Sequence, residues 1–148
     1  MIFSILIPSK NGEKDIDGCI NSVLDQKFDS FELIIGDNNN NEKFKNIISK
    51  YNKHENIKII SHKTDVPVTD NWQSCLDVST GDYIIMLGDD DGLLPNSLED
   101  IFSVIKDNNY PECLSFNGIA FYNKGSLLKI NSSAYSKLFF DYKKNGID

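Results

Sequence analysis

The chain has 148 residues, 40% of them hydrophobic and 25% charged, which is enough for one domain with a buried core. Its 22 acidic and 15 basic residues leave a net charge of −7. That balance excludes a nucleic-acid binder working through a basic face and a protein held on anionic lipid by charge alone.

In chain order, Phe3–Ile7 is an apolar run closed by Pro8 and reads as a buried strand. A turn-rich stretch, SKNGEKD, follows. From Ile16 the spacing becomes helical, with Ile16, Cys19, Ile20, Val23 and Leu24 on one face. Phe31–Asp37 is the second strand, NNNN a loop, and Phe44, Ile47, Ile48 and Tyr51 the face of a second helix. Ile57–Ile60 is a short third strand. A third helix is expected with Thr69 or Asp70 at its N-cap, Trp72, Cys75 and Leu76 on its buried face, and Gly81 as its C-cap. Tyr83–Leu87 is the fourth strand. Pro95 and Asn96 open a fourth helix with Leu98, Ile101, Phe102 and Ile105 inward. Four strand–helix repeats predict an open α/β fold with a mostly parallel sheet flanked by helices. Beyond Pro111, a hairpin over FNGIAFYNKGSLLKI and an amphipathic piece, SAYSKLFF, are expected.

Cys19, Cys75 and Cys113 are odd in number, widely spaced and without a CxxC pair. This speaks against a disulfide framework or a zinc site, and for three buried apolar positions in a cytoplasmic protein. No basic region precedes the apolar start and no cleavage pattern follows it, so no signal peptide is expected. No run approaches the roughly 20 apolar residues of a membrane helix.

In an open α/β sheet, ligands bind outside the carboxyl ends of the strands. Three polar loops converge on that edge here: PSKNGE, DNNNNE and GDDDG. Neither a phosphate-binding GxxxxGK[ST] loop nor a GxGxxG fingerprint occurs. Asp89, Asp90 and Asp91 cannot meet phosphate directly, but they can hold a hard divalent cation that bridges to it. The plainer reading, a solvated acidic turn before a helix, is weakened by the apolar strand that runs straight into the cluster.

The stretch SILIPSKNGEKDIDGCINSVLDQKFDSFELIIGDNNNNE resembles the start of family 2 glycosyltransferases, through Pro8, Ser9, Asn11, Ser22, Val23, Gln26, Phe31, Glu32 and Asp37. STGDYIIMLGDDDGLLP resembles the segment carrying that family's Asp-x-Asp metal motif, with Pro95 as its closing proline. The resemblance implies a GT-A fold and transfer of a sugar from a nucleotide-diphosphate donor to an acceptor hydroxyl, in cell-surface polysaccharide or glycan biosynthesis. It implies Mn²⁺ or Mg²⁺ held by Asp90 and Asp91, with Asp89 toward the ribose or sugar. Pro8, Ser9 and Asn11 would line the nucleotide pocket, and Asp37 and Asn38 would face the base. Lys10 stands where relatives carry an aromatic residue, Asn38 where a second Asp is common, and Asp70 where many have Arg. The general base is not assigned, because Asp141 is the only carboxylate between Glu112 and Asp148.

The expectation is therefore a single GT-A domain over residues 1–148, lacking the acceptor-binding part and inactive in transfer alone. Its partners would be a nucleotide-sugar donor and a glycan or lipid-linked acceptor, with self-association and peripheral membrane contact in the full enzyme. Two alternatives stay open. One is a non-catalytic nucleotide-sugar-binding module; the other is a nucleotidyltransferase-like enzyme, disfavoured because PSKNGE is poor in glycine and basic residues.

Overall fold

A computed structural model of the chain describes residues 2–115. Two compact units divide the chain, Met1–Asn108 and Asn109–Asp148, and every element below belongs to the first. The hairpin and amphipathic piece expected beyond Pro111 lie outside the described residues.

Four strands, β1 (Phe3–Ser9), β2 (Phe31–Asp37), β3 (Ile57–Ser61) and β4 (Tyr83–Met86), form one sheet in the order β3-β2-β1-β4. Every pairing is parallel: Phe3 lies opposite both Phe31 and Tyr83, and Leu33 opposite Ile57. The helices are α1 (Ile16–Leu24), α2 (Glu42–Ile48, run on by a 3₁₀ turn to Tyr51), α3 (Val68–Asp77) and α4 (Ser97–Asp107). The expected open α/β architecture is therefore present. The order also places a switch point at β1, where the chain has built β2 and β3 on one side and returns to add β4 on the other.

β1 and β2 are buried on both faces, which explains their unbroken apolar runs. On one face Leu6 and Ile34 pack against Cys75 of α3, with Ile60 alongside. Burying a Leu or Ile side chain contributes about 1.5–3 kcal/mol. On the other face Phe3 meets Phe28 at 5.3 Å between ring centroids, and Phe28 meets Phe102 of α4 at 5.4 Å.

Four local expectations are corrected. α3 starts at Val68, before Thr69 and Asp70, because the Pro67 carbonyl accepts the N–H groups of Asp70 and Asn71 and so begins the turn. Its buried face is Asn71 and Cys75, while Trp72 and Leu76 are 46% and 42% exposed. The reason is placement. α3 lies over β1 and β2. Ser74 reaches back to His62, just past β3, at 3.2 Å. The opposite flank, bearing Trp72 and Leu76, therefore faces past β1. Gly81 does not cap α3, which ends at Asp77. A Cβ at Gly81 would stand 2.6 Å from the Ser4 backbone nitrogen, so glycine there lets the chain pass close to β1 as it enters β4. Cys19 and Cys75 are buried, but Cys113 is exposed.

Glu32 ties this frame together. Its carboxylate accepts from the Ser4 hydroxyl at 2.6 Å, from the Thr80 N–H and hydroxyl, and from the Lys58 ammonium at 2.7 Å. One buried side chain thus joins β1, β2, β3 and the turn that leads into β4.

Candidate functional site

The carboxyl edge of the sheet is built around β1. The Ser9 hydroxyl donates to Asp89 Oδ2, joining the end of β1 to the loop after β4 at the switch point. Gly12 passes directly behind this contact, where any Cβ would collide with the Asp89 carboxylate and the Ser9 hydroxyl. The Cys19 thiol of α1 donates to the Gly88 carbonyl at 3.3 Å. Burial first, and then the negative charge of Asp89, Asp91 and Asp90, pushes that thiol up to about 12, so it stays neutral.

Asp90 and Asp91 fold back over Gly88. Asp90 Oδ1 and Asp91 Oδ2 lie 3.1 and 2.8 Å from the point where a Gly88 Cβ would stand, so two carboxylates share one small volume. Asp89 is half-buried, and burial together with the Asp90 charge raises its carboxyl despite the Ser9 hydrogen bond. Among the described residues no group of three or more His, Cys, Asp or Glu is arranged to hold a metal. Two carboxylates nevertheless fit Mg²⁺ or Mn²⁺, which take one or two protein carboxylates and leave the remaining positions to water and phosphate.

Ser22 of α1 and Gln26, just past its end, hold the loop that carries the cluster. The Ser22 hydroxyl accepts the Leu93 N–H at 3.0 Å. The Gln26 amide donates to the Leu94 carbonyl at 3.0 Å and accepts from the Leu98 N–H at 3.2 Å, so it caps the start of α4. This gives Ser22 and Gln26 a structural reason for their place in the pattern.

The loop after β2 is fixed by side chains acting on backbone. Asp37 is fully buried; its Oδ1 accepts the N–H of Asn40 at 2.7 Å and the Asn40 amide at 2.9 Å. Its Oδ2 is buried without a partner. The Asn40 amide also donates to the Ser9 carbonyl at 3.0 Å, and its oxygen accepts the Asn11 N–H. Asn38 is also buried, and its amide pairs with the Val66 main chain: Nδ2 donates to the carbonyl and Oδ1 accepts the N–H, each at 2.9 Å. Asp37 and Asn38 thus support the edge from within. Most buried polar groups find partners, and main chain supplies both for the Asn38 amide, while Asp37 keeps one oxygen unmet. Pro8 is half-buried, Ser9 is buried, and Asn11 is exposed in the left-handed region at φ 62°.

The edge thus brings together Ser9, Asn11, Asp89, Asp90 and Asp91. It adds Gly12, Asn40 and Asp65, which the sequence does not single out, and Cys19, which the sequence marks only as a buried apolar position. Only Gly12 carried a local signal, as the second residue of an Asn-Gly turn pair.

The sequence profile described as Glycosyl transferase family 2 matches residues 4–143. The chain belongs to this family. Among curated family relatives it is 29% identical to the poly(ribitol-phosphate) beta-N-acetylglucosaminyltransferase TarP of Staphylococcus aureus, a match covering 98% of this chain and 50% of TarP. It is 30% identical over 93 residues to a PGL/p-HBAD biosynthesis glycosyltransferase of Mycobacterium bovis, covering 62% of this chain and 36% of that one. Among solved structures it resembles S. aureus TarS 1–349 in complex with UDP-GlcNAc, with a TM-score of 0.68 and 26% identity, over 74% of this chain and 32% of TarS 1–349. The chain thus spans about a third to a half of these relatives' length. The similarity to TarS bears out the expected GT-A fold.

Proposed function

We propose that this chain is the nucleotide-sugar-binding part of a metal-dependent, inverting glycosyltransferase of cell-surface polysaccharide or glycan synthesis. The observation that carries this reading is the Ser9–Asp89 bridge at the sheet's switch point, with Asp90 and Asp91 converging beside it. Support for the donor class comes from the likeness to TarS solved with UDP-GlcNAc. Support for the setting comes from relatives named for poly(ribitol-phosphate) glycosylation and for PGL/p-HBAD biosynthesis.

Asp90 and Asp91 would hold Mn²⁺ or Mg²⁺, which when bound neutralises charge on a diphosphate leaving group. The chain's own residues do the rest. Asp89, fixed by Ser9, presents its carboxylate to ribose or sugar hydroxyls. Pro8 and Asn11 line the crevice floor, and the Asn40 clamp holds them in place. Preorganised groups of this kind avoid reorganisation when charge develops. The acceptor is a glycan or lipid-linked hydroxyl, and the setting is cytoplasmic, with peripheral membrane contact and self-association in the full enzyme. No described residue is assigned as the base that takes the acceptor proton.

Calorimetric titration of nucleoside diphosphates, with Mn²⁺ and then with EDTA, tests this. Binding that depends on the ion is expected. Unchanged affinity in EDTA would overturn the metal assignment, and no binding of any nucleotide would overturn the whole reading.

A further inference from the structure

At the other end of the same edge sits a built pair of charges. Lys10, the residue after β1, donates from its ammonium to Asp65 Oδ1 at 2.7 Å and to the Asn38 carbonyl at 2.9 Å; its third contact, with the Asn39 carbonyl at 3.5 Å, is long enough to give way to a ligand. The Asn39 amide donates to the same Asp65 oxygen at 3.0 Å. Asp65 Oδ2 accepts no hydrogen bond from the described residues. An exposed ion pair is ordinarily of little consequence. This one is placed, because the Asn38 amide grips the main chain of Val66 on both sides and so fixes the loop bearing Asp65. Asn38 therefore has its amide oxygen and nitrogen already engaged, while Asp65 keeps a carboxylate oxygen open.

The strand order sets what this pair can meet. The Asp89–Asp91 cluster follows β4, Lys10 follows β1, and Asp65 follows β3. From β4 to β3 is three strand spacings, on the order of 14 Å. A nucleoside diphosphate with its phosphates at the cluster would extend its base toward Lys10 and Asp65.

We propose that Lys10 and Asp65 read the edge of the donor's base, selecting a ring carbonyl beside a ring N–H, as in uracil, thymine and guanine. This rests on the reading that the edge binds a nucleotide. The ammonium of Lys10 only donates and the ionised carboxylate of Asp65 only accepts. Side by side, they match a carbonyl oxygen next to an N–H. Cytosine and adenine present the reverse, an amino group beside a bare ring nitrogen, and would set donor against donor and acceptor against acceptor. Lys10 and Asn39 hold the Asp65 carboxyl below its usual range, so it is ionised at neutral pH.

The test is calorimetry with UDP, dTDP, GDP, CDP and ADP in Mn²⁺, on the native chain and on Asp65→Asn, Lys10→Gln and Asp90→Asn. The native chain should bind UDP, dTDP and GDP at least about tenfold tighter than CDP and ADP, since a site made for a hydrogen bond rejects a ligand that leaves its groups unpaired. Asp65→Asn, whose amide both donates and accepts, should bring all five within about threefold. Lys10→Gln should narrow the ratio likewise. Asp90→Asn should weaken all five alike and leave the ratios unchanged. Equal binding of CDP and UDP by the native chain would overturn the proposal while the nucleotide reading stands. So would unchanged ratios in a folded Asp65→Asn. Failure of every diphosphate to bind would overturn both.

Discussion

Replacing Glu32 with Gln tests whether one buried charge holds the frame beneath the site. Burial alone would raise the Glu32 carboxyl. Lys58, Ser4 and Thr80 more than reverse this, and bring it from an ordinary 4.5 down to about 2. At about 1.4 kcal/mol per pKa unit, that drop corresponds to about 3 kcal/mol favouring the ionised form in the folded chain. Lys58 is 42% exposed, so solvent screens part of the pair, and about 2–3 kcal/mol is expected. Because the folded pKa is depressed, this stability is fully present above pH 4.5 and is lost as pH falls toward 2. Glu32→Gln keeps one acceptor for Thr80 and Ser4 but turns its amide on Lys58. Urea unfolding should therefore show the variant less stable by about 2–3 kcal/mol at pH 7, with the gap closing as the native chain protonates between about pH 4.5 and 2. A gap that stays constant down to the lowest pH at which both chains fold would refute the argument, because a packing defect has no such pH dependence. So would a gap below about 0.5 kcal/mol at pH 7, the size of an ordinary surface substitution.

Other consequences are more direct. Gly12→Ala pushes a Cβ into the Ser9–Asp89 contact, and should weaken nucleoside diphosphate binding at least about tenfold, read by calorimetry, while circular dichroism keeps its native form. Asn40→Ala leaves the Asn11 N–H without its acceptor and takes one of two donors from both the Ser9 carbonyl and Asp37 Oδ1, which keep the Asn38 and residue-40 N–H groups, so a loss of about 1–3 kcal/mol is expected. A fall in melting temperature of several degrees should follow, and an unchanged one would deny the clamp. Asp90→Asn should remove most of the Mn²⁺-dependent nucleotide binding with little change in thermal stability, since Asp90 is exposed.

The fold was readable because apolar periodicity survives whatever the loops do. Phe31–Asp37 was placed to the residue, and the buried face of α1 is the predicted one apart from Leu24, which is half-buried. The errors share a physical cause. Trp72 has the spacing of a core residue, but spacing fixes only an angle around the helix axis, not what lies beneath that angle. α3 sits over β1 and β2, so Cys75 finds Leu6 and Trp72 finds solvent. Gly81 has the profile of a helix cap, yet glycine serves equally where two backbones approach, and only the register of β1 against β4 decides between them.

The Asn38–Asn41 run shows why the site was less legible than the sheet. These are four identical side chains in one loop, and each does a different job. Asn38 is buried and grips Val66; Asn39 turns to the left-handed region at φ 50° and donates to Asp65. Asn40 is buried and binds Asp37, Ser9 and Asn11. Asn41 caps α2, its oxygen accepting the Phe44 N–H at 3.0 Å. An amide offers a donor and an acceptor in any direction, so composition cannot say which groups it will meet. The path of the backbone decides. One left-handed residue, which Asn tolerates better than most, sends the chain back so that Asn40 faces the end of β1 while Asn38 faces the loop after β3. What the run contributes is therefore a frame, with Asn40 setting the Ser9 end of the crevice and Asn38 setting the Asp65 end. The residues proposed to meet the donor are those that this frame holds in place, Asp89 on one side and Lys10 with Asp65 on the other.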